Sequence, residues 1–155
     1  LREKAYCIDS SSMNSQQLRY AVQQWLKVER EGMLVVFESF GFKYGVPTDI
    51  DFLFDMRSLP NPYYDTALRP FNGTEEPIRQ YLDSQPLVQE MVGDIKRFIG
   101  RWLPRMQEES RSYVTVGIGC TGGQHRSVYV CERLAEHFRS DYQVLVRHRQ
   151  LNLGA

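Results

Sequence analysis

Two hydrophobic rhythms alternate along the chain. Short continuous apolar runs bounded by turn formers predict buried strands at Leu34–Phe37, Phe52–Phe54, Tyr113–Ile118 and Tyr142–Val146, with a further β-type run at Ala5–Asp9. Between them, apolar residues recur at helical spacing. Leu18, Val22, Trp25 and Val28 mark a helix that Ser10–Ser12 would cap and Gly32 would stop. Ile78–Leu82 starts a second helical stretch. Val88, Met91, Val92, Ile95, Phe98, Ile99 and Trp102 give a longer one that Pro104 is expected to end. A last helix runs from the end of the glycine-rich loop to Phe138.

A strand, a loop, a second strand, then helix, strand, helix and strand is the order of an α/β domain. Its sheet is expected to be largely parallel and flanked by helices, with the loops that follow the strands gathered at one end. Glu38–Pro47 reads as one such loop. Ser58–Glu76 is another: Pro60, Pro62, Pro70 and Asn72-Gly73 exclude a regular element, and loops of that length in compact domains act as lids or binding loops. Residues 1–31 read as the last βα unit of a preceding α/β domain, and residues 32–155 as the main unit. The chain opens on Leu1, and we read it as a piece of a longer protein.

Composition narrows the partners. Nineteen basic residues balance nineteen acidic ones, so no global field favours nucleic acid or membrane, and any such partner needs a local patch. The three cysteines Cys7, Cys120 and Cys131 form no C-x-x-C pair. That argues against a disulfide framework or zinc site and fits a reducing, cytoplasmic compartment. No apolar run has the length of a membrane span. The motif G-x-x-x-x-G-K-[ST] is absent, so the chain carries no Walker-type ATP site and is expected to hold no cofactor itself.

The chemistry concentrates in Cys120-Thr121-Gly122-Gly123-Gln124-His125-Arg126-Ser127, which joins a strand to a helix. Glycine-rich backbone offers inward-pointing N–H groups, the helix start adds unpaired N–H groups and a positive dipole end, and Arg126 adds a planar fork of donors. This is a phosphate-binding loop. Cys120-x5-Arg126 also has the spacing of a cysteine phosphatase, with Cys120 as nucleophile and Arg126 on the phosphoryl oxygens. The acid candidates are Asp49, Asp51 and Asp55, none in the aromatic-Pro-Asp setting usual for that role. Cys120 is alternatively a small buried residue at a strand end, and His125 either contacts the ligand or caps the turn. Lys43 and Ser39 could reach an anion from the neighbouring loop. Asp55, Arg57 and Asn61 follow the second strand on the same rim and suit hydroxyls or an amine, so the composition is that of a phosphosugar or amino-sugar pocket.

The segments Val36–Gly45, Phe54-Asp55-Met56-Arg57, Leu59-Pro60-Asn61-Pro62, Leu68-Arg69-Pro70, Gly119–Val128 and Arg147-His148-Arg149 together resemble the RapZ/YvcJ family of bacterial nucleotide-binding proteins and RNase adapters. The resemblance covers residue 33 onward as that family's C-terminal domain, with residues 1–31 similar to the tail of its P-loop domain. It implies a cytoplasmic, oligomeric regulatory protein. ATP and GTP binding, with weak hydrolysis, would belong to the Walker region outside this chain. It also implies that this domain binds glucosamine-6-phosphate and a small RNA and presents the RNA to an endonuclease, with site positions Asp55, Cys120, Thr121, Gly122, His125 and Arg126. Gln124 stands where family members often have Lys, and Tyr63 where they have His. In place of a Lys/Arg-rich tail stand Gln150–Ala155, which lack those phosphate contacts. Arg139, Arg147, His148 and Arg149 remain as the candidate RNA patch.

Overall fold

The computed structural model describes residues 14–29 and 32–151. Helix α1 (Ser15–Glu29) precedes strand β1 (Leu34–Gly41), a 3₁₀ turn at Phe42–Tyr44 and strand β2 (Phe52–Asp55). A 3₁₀ turn at Pro62–Tyr64 interrupts the long loop before α2 (Glu76–Asp83) and α3 (Pro86–Glu108), and then β3 (Tyr113–Cys120), α4 (Arg126–Phe138) and β4 (Gln143–His148) follow. The four strands lie in the order β2-β3-β1-β4, every pairing parallel. This is the expected α/β class.

Strand alternation sorts side chains to two faces. Val35, Phe37, Val114, Val116, Ile118 and, at the edge, Val144 and Val146 pack with residues of α2, α3 and α4, where Phe37 stacks on Phe138 at 5.8 Å. Leu34, Val36, Tyr113 and Leu145 face the other way onto Leu18 and Val22 of α1. On that second face Gly117 and Gly119 leave room for Ile50 and for the Phe40 and Phe42 rings. The helical layer carries one polar tie. The Tyr129 hydroxyl of α4 donates to Asp83 at the end of α2 and accepts from Gln89 Nε2 of α3 at 3.1 Å. Burial is the main reason its pKa is pushed up to about 12.

Three local expectations change. The α1 cap within the described residues is Asn14: its Oδ1 accepts from Gln17 N–H at 2.8 Å while Gln17 Oε1 accepts from Asn14 N–H at 3.0 Å, a reciprocal capping box. Ser10–Ser12 and the Ala5–Asp9 run lie outside the described residues. β1 continues through Glu38–Gly41, read from sequence as loop, because all four residues pair with β3, Glu38 and Ser39 pair with β4 as well, and the stretch is buried. Finally, α3 passes through Pro104 to Glu108. A proline inside a helix costs about 3 kcal/mol. Full burial of Leu103 and the packing of Met106 against the core hold the last turn in place.

Parallel pairing puts all four strand C-termini on one rim. The cysteine loop leaves β3 there, the Phe42–Tyr44 turn leaves β1, the long loop leaves β2, and Arg149-Gln150 leaves β4. Among the described residues no helix is long and apolar enough to cross a membrane.

Candidate functional site

The cysteine loop is held open by backbone geometry. Gly123 has φ +73°, and its N–H donates to Cys120 Sγ at 3.3 Å. Ser127 Oγ lies 3.1 Å from the same sulfur. The sulfur therefore sits at the base of a turn, between an amide and a hydroxyl, with 3% of Cys120 exposed. α4 starts without a side-chain cap, and the first N–H groups of a helix have no partner within it. β1 presses against the turn from below: a Cβ on Gly41 would lie 2.6 Å from the Gly122 carbonyl carbon. Gln150 stitches the seam, accepting from Gly41 N–H at 2.7 Å through Oε1 and from Gln124 Nε2 at 2.9 Å through its carbonyl.

The same loop clamps the lid. Arg126 is 4% exposed, and its Nη1 donates to the carbonyls of Arg57 and Leu59 at 2.9 Å each and of Met56 at 3.4 Å. Its Nε is buried with no partner among the described residues. These partners are neutral dipoles, so the guanidinium charge is not cancelled by a carboxylate bonded to it. His125 Nε2 meets the Phe71 carbonyl at 2.6 Å, and Gly73 N–H donates to the Gln124 carbonyl at 2.7 Å. Burial, first among several causes, lowers the His125 pKa below its ordinary value. The neutral ring donates Nε2–H to the Phe71 carbonyl and so ties the loop to the lid.

Above the loop the cleft has two lobes. A cavity of about 410 Å³ is lined by Cys120, Thr121, Gly122, Gln124, His125, Arg126, Asn61, Lys43, Tyr63 and Tyr64. A second, of about 430 Å³, shares Asn61, Tyr64, Thr121 and Arg126 with it and adds Arg57, Ser58, Leu59, Pro60 and Leu87. Most of the sequence-derived site residues thus converge. Gly123 and Ser127 stand behind the wall, shaping the turn. Asp55 does not line either lobe: its carboxylate forms a forked pair with Arg57, with Nη2–Oδ2 at 2.7 Å. That bond, chiefly, holds its pKa below the usual carboxylate range. Asp51 pairs with Arg111 at 2.6 Å and the Thr115 N–H at 2.8 Å, at the start of β2.

Ser39 is fully buried, and its Oγ meets His148 Nδ1 at 2.7 Å, so of the Lys43–Ser39 pair only Lys43 faces the cleft. Tyr63 and Tyr64, with Ser58, Leu59, Pro60 and Leu87 of the second lobe, are lining residues that reading the sequence missed. The signal available for the tyrosines was their place directly after Asn61-Pro62 in the lid, where a 3₁₀ turn capped by the Asn61 side chain presents both rings. Cys131 is fully buried in the core, which pushes its thiol pKa well up.

The candidate RNA residues do not form one patch. Arg139 follows α4 beside Gly32 and Gln143, at the rim where strands begin. Arg147–Arg149 lie at the opposite rim. Arg147 Nε and Arg149 Nη1 approach Glu38 Oε1 at 3.8 and 3.2 Å, Arg149 also donates to Ser15 Oγ at 2.9 Å, and His148 Nε2 meets Glu132 at 2.7 Å.

With this geometry in view, the comparisons with known proteins are direct. A family model described as the RapZ C-terminal domain matches residues 33–152. A nucleotide-binding protein of Neisseria meningitidis serogroup B is 69% identical over 150 residues, which cover 97% of this chain and 53% of that protein. Nucleotide-binding proteins of Ralstonia nicotianae and Cupriavidus pinatubonensis are each 52% identical, over 100% and 97% of this chain and 52% and 51% of their own lengths. The chain spans about half the length of these curated relatives.

Proposed function

The chain belongs to the RapZ C-terminal domain family, and from that premise we propose that it is the metabolite-sensing part of an RNase adapter, binding a phosphorylated amino sugar of the glucosamine-6-phosphate type. The observation that carries this reading is the loop with Arg126. An arginine that is 4% exposed, bonded among the described residues to carbonyls and carrying an Nε without a partner there, lines a cleft at the start of α4. A phosphate placed there gains donors without first displacing a carboxylate. Lys43 adds a charge to the lining, while Asn61 and His125 serve the sugar hydroxyls.

Presentation of a small RNA to an endonuclease, assembly into oligomers and a cytoplasmic location rest on family membership. ATP and GTP binding, proposed from the relatives described as nucleotide-binding proteins, is assigned to a region this chain does not contain. For RNA contact the end of β4 offers Arg147 and Arg149 only in ion pairs with Glu38.

The phosphatase alternative draws on Gly123 N–H and Ser127 Oγ beside Cys120 Sγ. It lacks a convincing acid, because Asp55 is held ionised by Arg57 and a leaving-group acid needs a proton near neutral pH. Calorimetry with glucosamine-6-phosphate and with glucosamine separates the cases. Binding should require the phosphate and weaken at least about 100-fold in Arg126→Ala, the worth of two charge-assisted hydrogen bonds. Arg126→Lys, which keeps the charge and is gentler on the lid, should lose part of that affinity. Equal binding of both sugars overturns the proposal, and phenyl phosphate turnover abolished by Cys120→Ser would restore the phosphatase.

A further inference from the structure

The second lobe of the cleft differs in chemistry from the first. The charged residue it adds to the shared Arg126, Arg57, has its guanidinium neutralised by the fork with Asp55 and stacked 3.9 Å over the Phe42 ring. This lobe therefore offers little to a second phosphate. Its other walls are Leu59, Pro60, Leu87 and the Tyr64 ring, with Ser58 and Asn61 as polar edges. Leu87 is 50% exposed and Tyr64 is 82% exposed.

The two tyrosines of the lid are not equivalent. Tyr63 carries the Arg69 guanidinium 4.4 Å over its ring and is joined to its neighbour edge-on, with centroids 6.5 Å apart and planes at 72°. Among the described residues no cation lies over Tyr64, and its ring lines both lobes. An exposed aromatic face next to leucine and proline fits a flat heteroaromatic ring. Stacking on tyrosine is indifferent to which base it meets, because every base has a π-face. Asn61 Oδ1 is taken by the Tyr63 N–H at 3.2 Å, which leaves its NH₂ group for a base or ribose edge.

We propose that nucleoside monophosphates are a second ligand class for this cleft, the phosphate held by the Cys120–Ser127 loop and the base laid against Tyr64 in the adjoining lobe. This rests on the phosphate-loop reading and goes beyond it. Because Arg126 and Thr121 belong to both lobes, a phosphosugar and a nucleotide compete for one cradle, and occupancy reports the balance between them. The nucleotide in question is distinct from any bound by a Walker motif, which this sequence lacks.

Calorimetry on the chain itself, with AMP, ribose 5-phosphate and adenosine, tests the assignment. AMP should bind about tenfold more tightly than ribose 5-phosphate, as one base–aromatic stack provides, and glucosamine-6-phosphate should displace it. Tyr64→Ala should weaken AMP about tenfold more than it weakens ribose 5-phosphate, closing the gap between them, and Tyr64→Phe should restore the difference. AMP and ribose 5-phosphate binding equally, an unaffected Tyr64→Ala variant, or simultaneous binding of AMP and glucosamine-6-phosphate would each sink the nucleotide assignment with the phosphate loop intact. Failure of AMP, ribose 5-phosphate and glucosamine-6-phosphate alike to bind would instead remove the phosphate-loop reading, and this inference with it.

Discussion

Arg126 and the Arg147–Arg149 pair end neighbouring parts of the same rim, and all are largely withdrawn from solvent, yet they stand in opposite electrostatic conditions. Arg126 is anchored by the carbonyls of Met56, Arg57 and Leu59, which fix its position without neutralising it. Arg147 and Arg149 close on the carboxylate of Glu38, itself 5% exposed. Burial pulls the Arg147 pKa down, with Glu38 acting against it. An arginine held by dipoles remains a receptor for an anion, whereas one held by a buried carboxylate is already occupied. The partner decides what a basic residue can do. His125 and His148 repeat the contrast, the first bonded to a carbonyl and the second to Ser39 and Glu132.

The seam between these regions is Gly41, and it offers the largest perturbation. A Cβ there would meet the Gly122 carbon at 2.6 Å, the Gly122 oxygen at 2.8 Å and the Gly123 nitrogen at 2.9 Å, all of them backbone atoms. Gly41→Ala should therefore displace the phosphate loop, destabilise the fold by about 3 kcal/mol and weaken phosphosugar binding more than tenfold. Urea unfolding and calorimetry read both effects. The Glu38 cluster lies deeper in the strand and should keep its ion pairs. If phosphosugar binding survives, the loop adapts more freely than its packing suggests and its rigidity is not what distinguishes it from the β4 end.

Glu38→Gln tests the other side. Breaking a buried ion pair by removing one partner can cost 3–5 kcal/mol in general. Here the two arginines keep side-chain exposures of 24% and 30%, so we expect about 2 kcal/mol. The variant should also release Arg147 and Arg149, raising affinity for a single-stranded RNA and steepening its loss with added salt. Unchanged RNA affinity and slope would mean that Glu38 is not what occupies these arginines.

Much of this arrangement is written in local pattern, and the part that is not has a physical reason. The strand runs, the α3 stripe and the glycine turn before α4 are local signals, and they announce a parallel sheet with a loop at a strand end. Residues such as Asp55, Arg57 and Asn61 share the rim as the alternation of elements implies. What each side chain does there depends on partners far along the chain. Glu38 is 109 to 111 residues from its arginines, and Arg126 is 67 to 70 from its carbonyls. Those pairings are set by register across a parallel sheet, which hydrophobic period does not encode. Pro104 is the converse case: a local stop signal overridden by the burial of Leu103 one residue earlier.

The smallest expected effect concerns His125, and its sign follows from burial. The folded-state pKa lies below the ordinary value of 6.5, mainly through desolvation, with the charge of Arg126 acting in the same direction and the carbonyls of Phe71 and Arg69 opposing. Below that value the unfolded chain takes up the proton more readily than the folded one. The contribution of the neutral, lid-clamping imidazole is complete above the unfolded pKa and is lost as pH falls from there through the folded pKa. Comparing thermal midpoints of the wild type and His125→Gln across this range isolates the residue, since glutamine can still donate to Phe71 without titrating. The wild-type advantage should hold at neutral pH and shrink on acidification. Parallel curves would show that the His125 clamp does not titrate across this range.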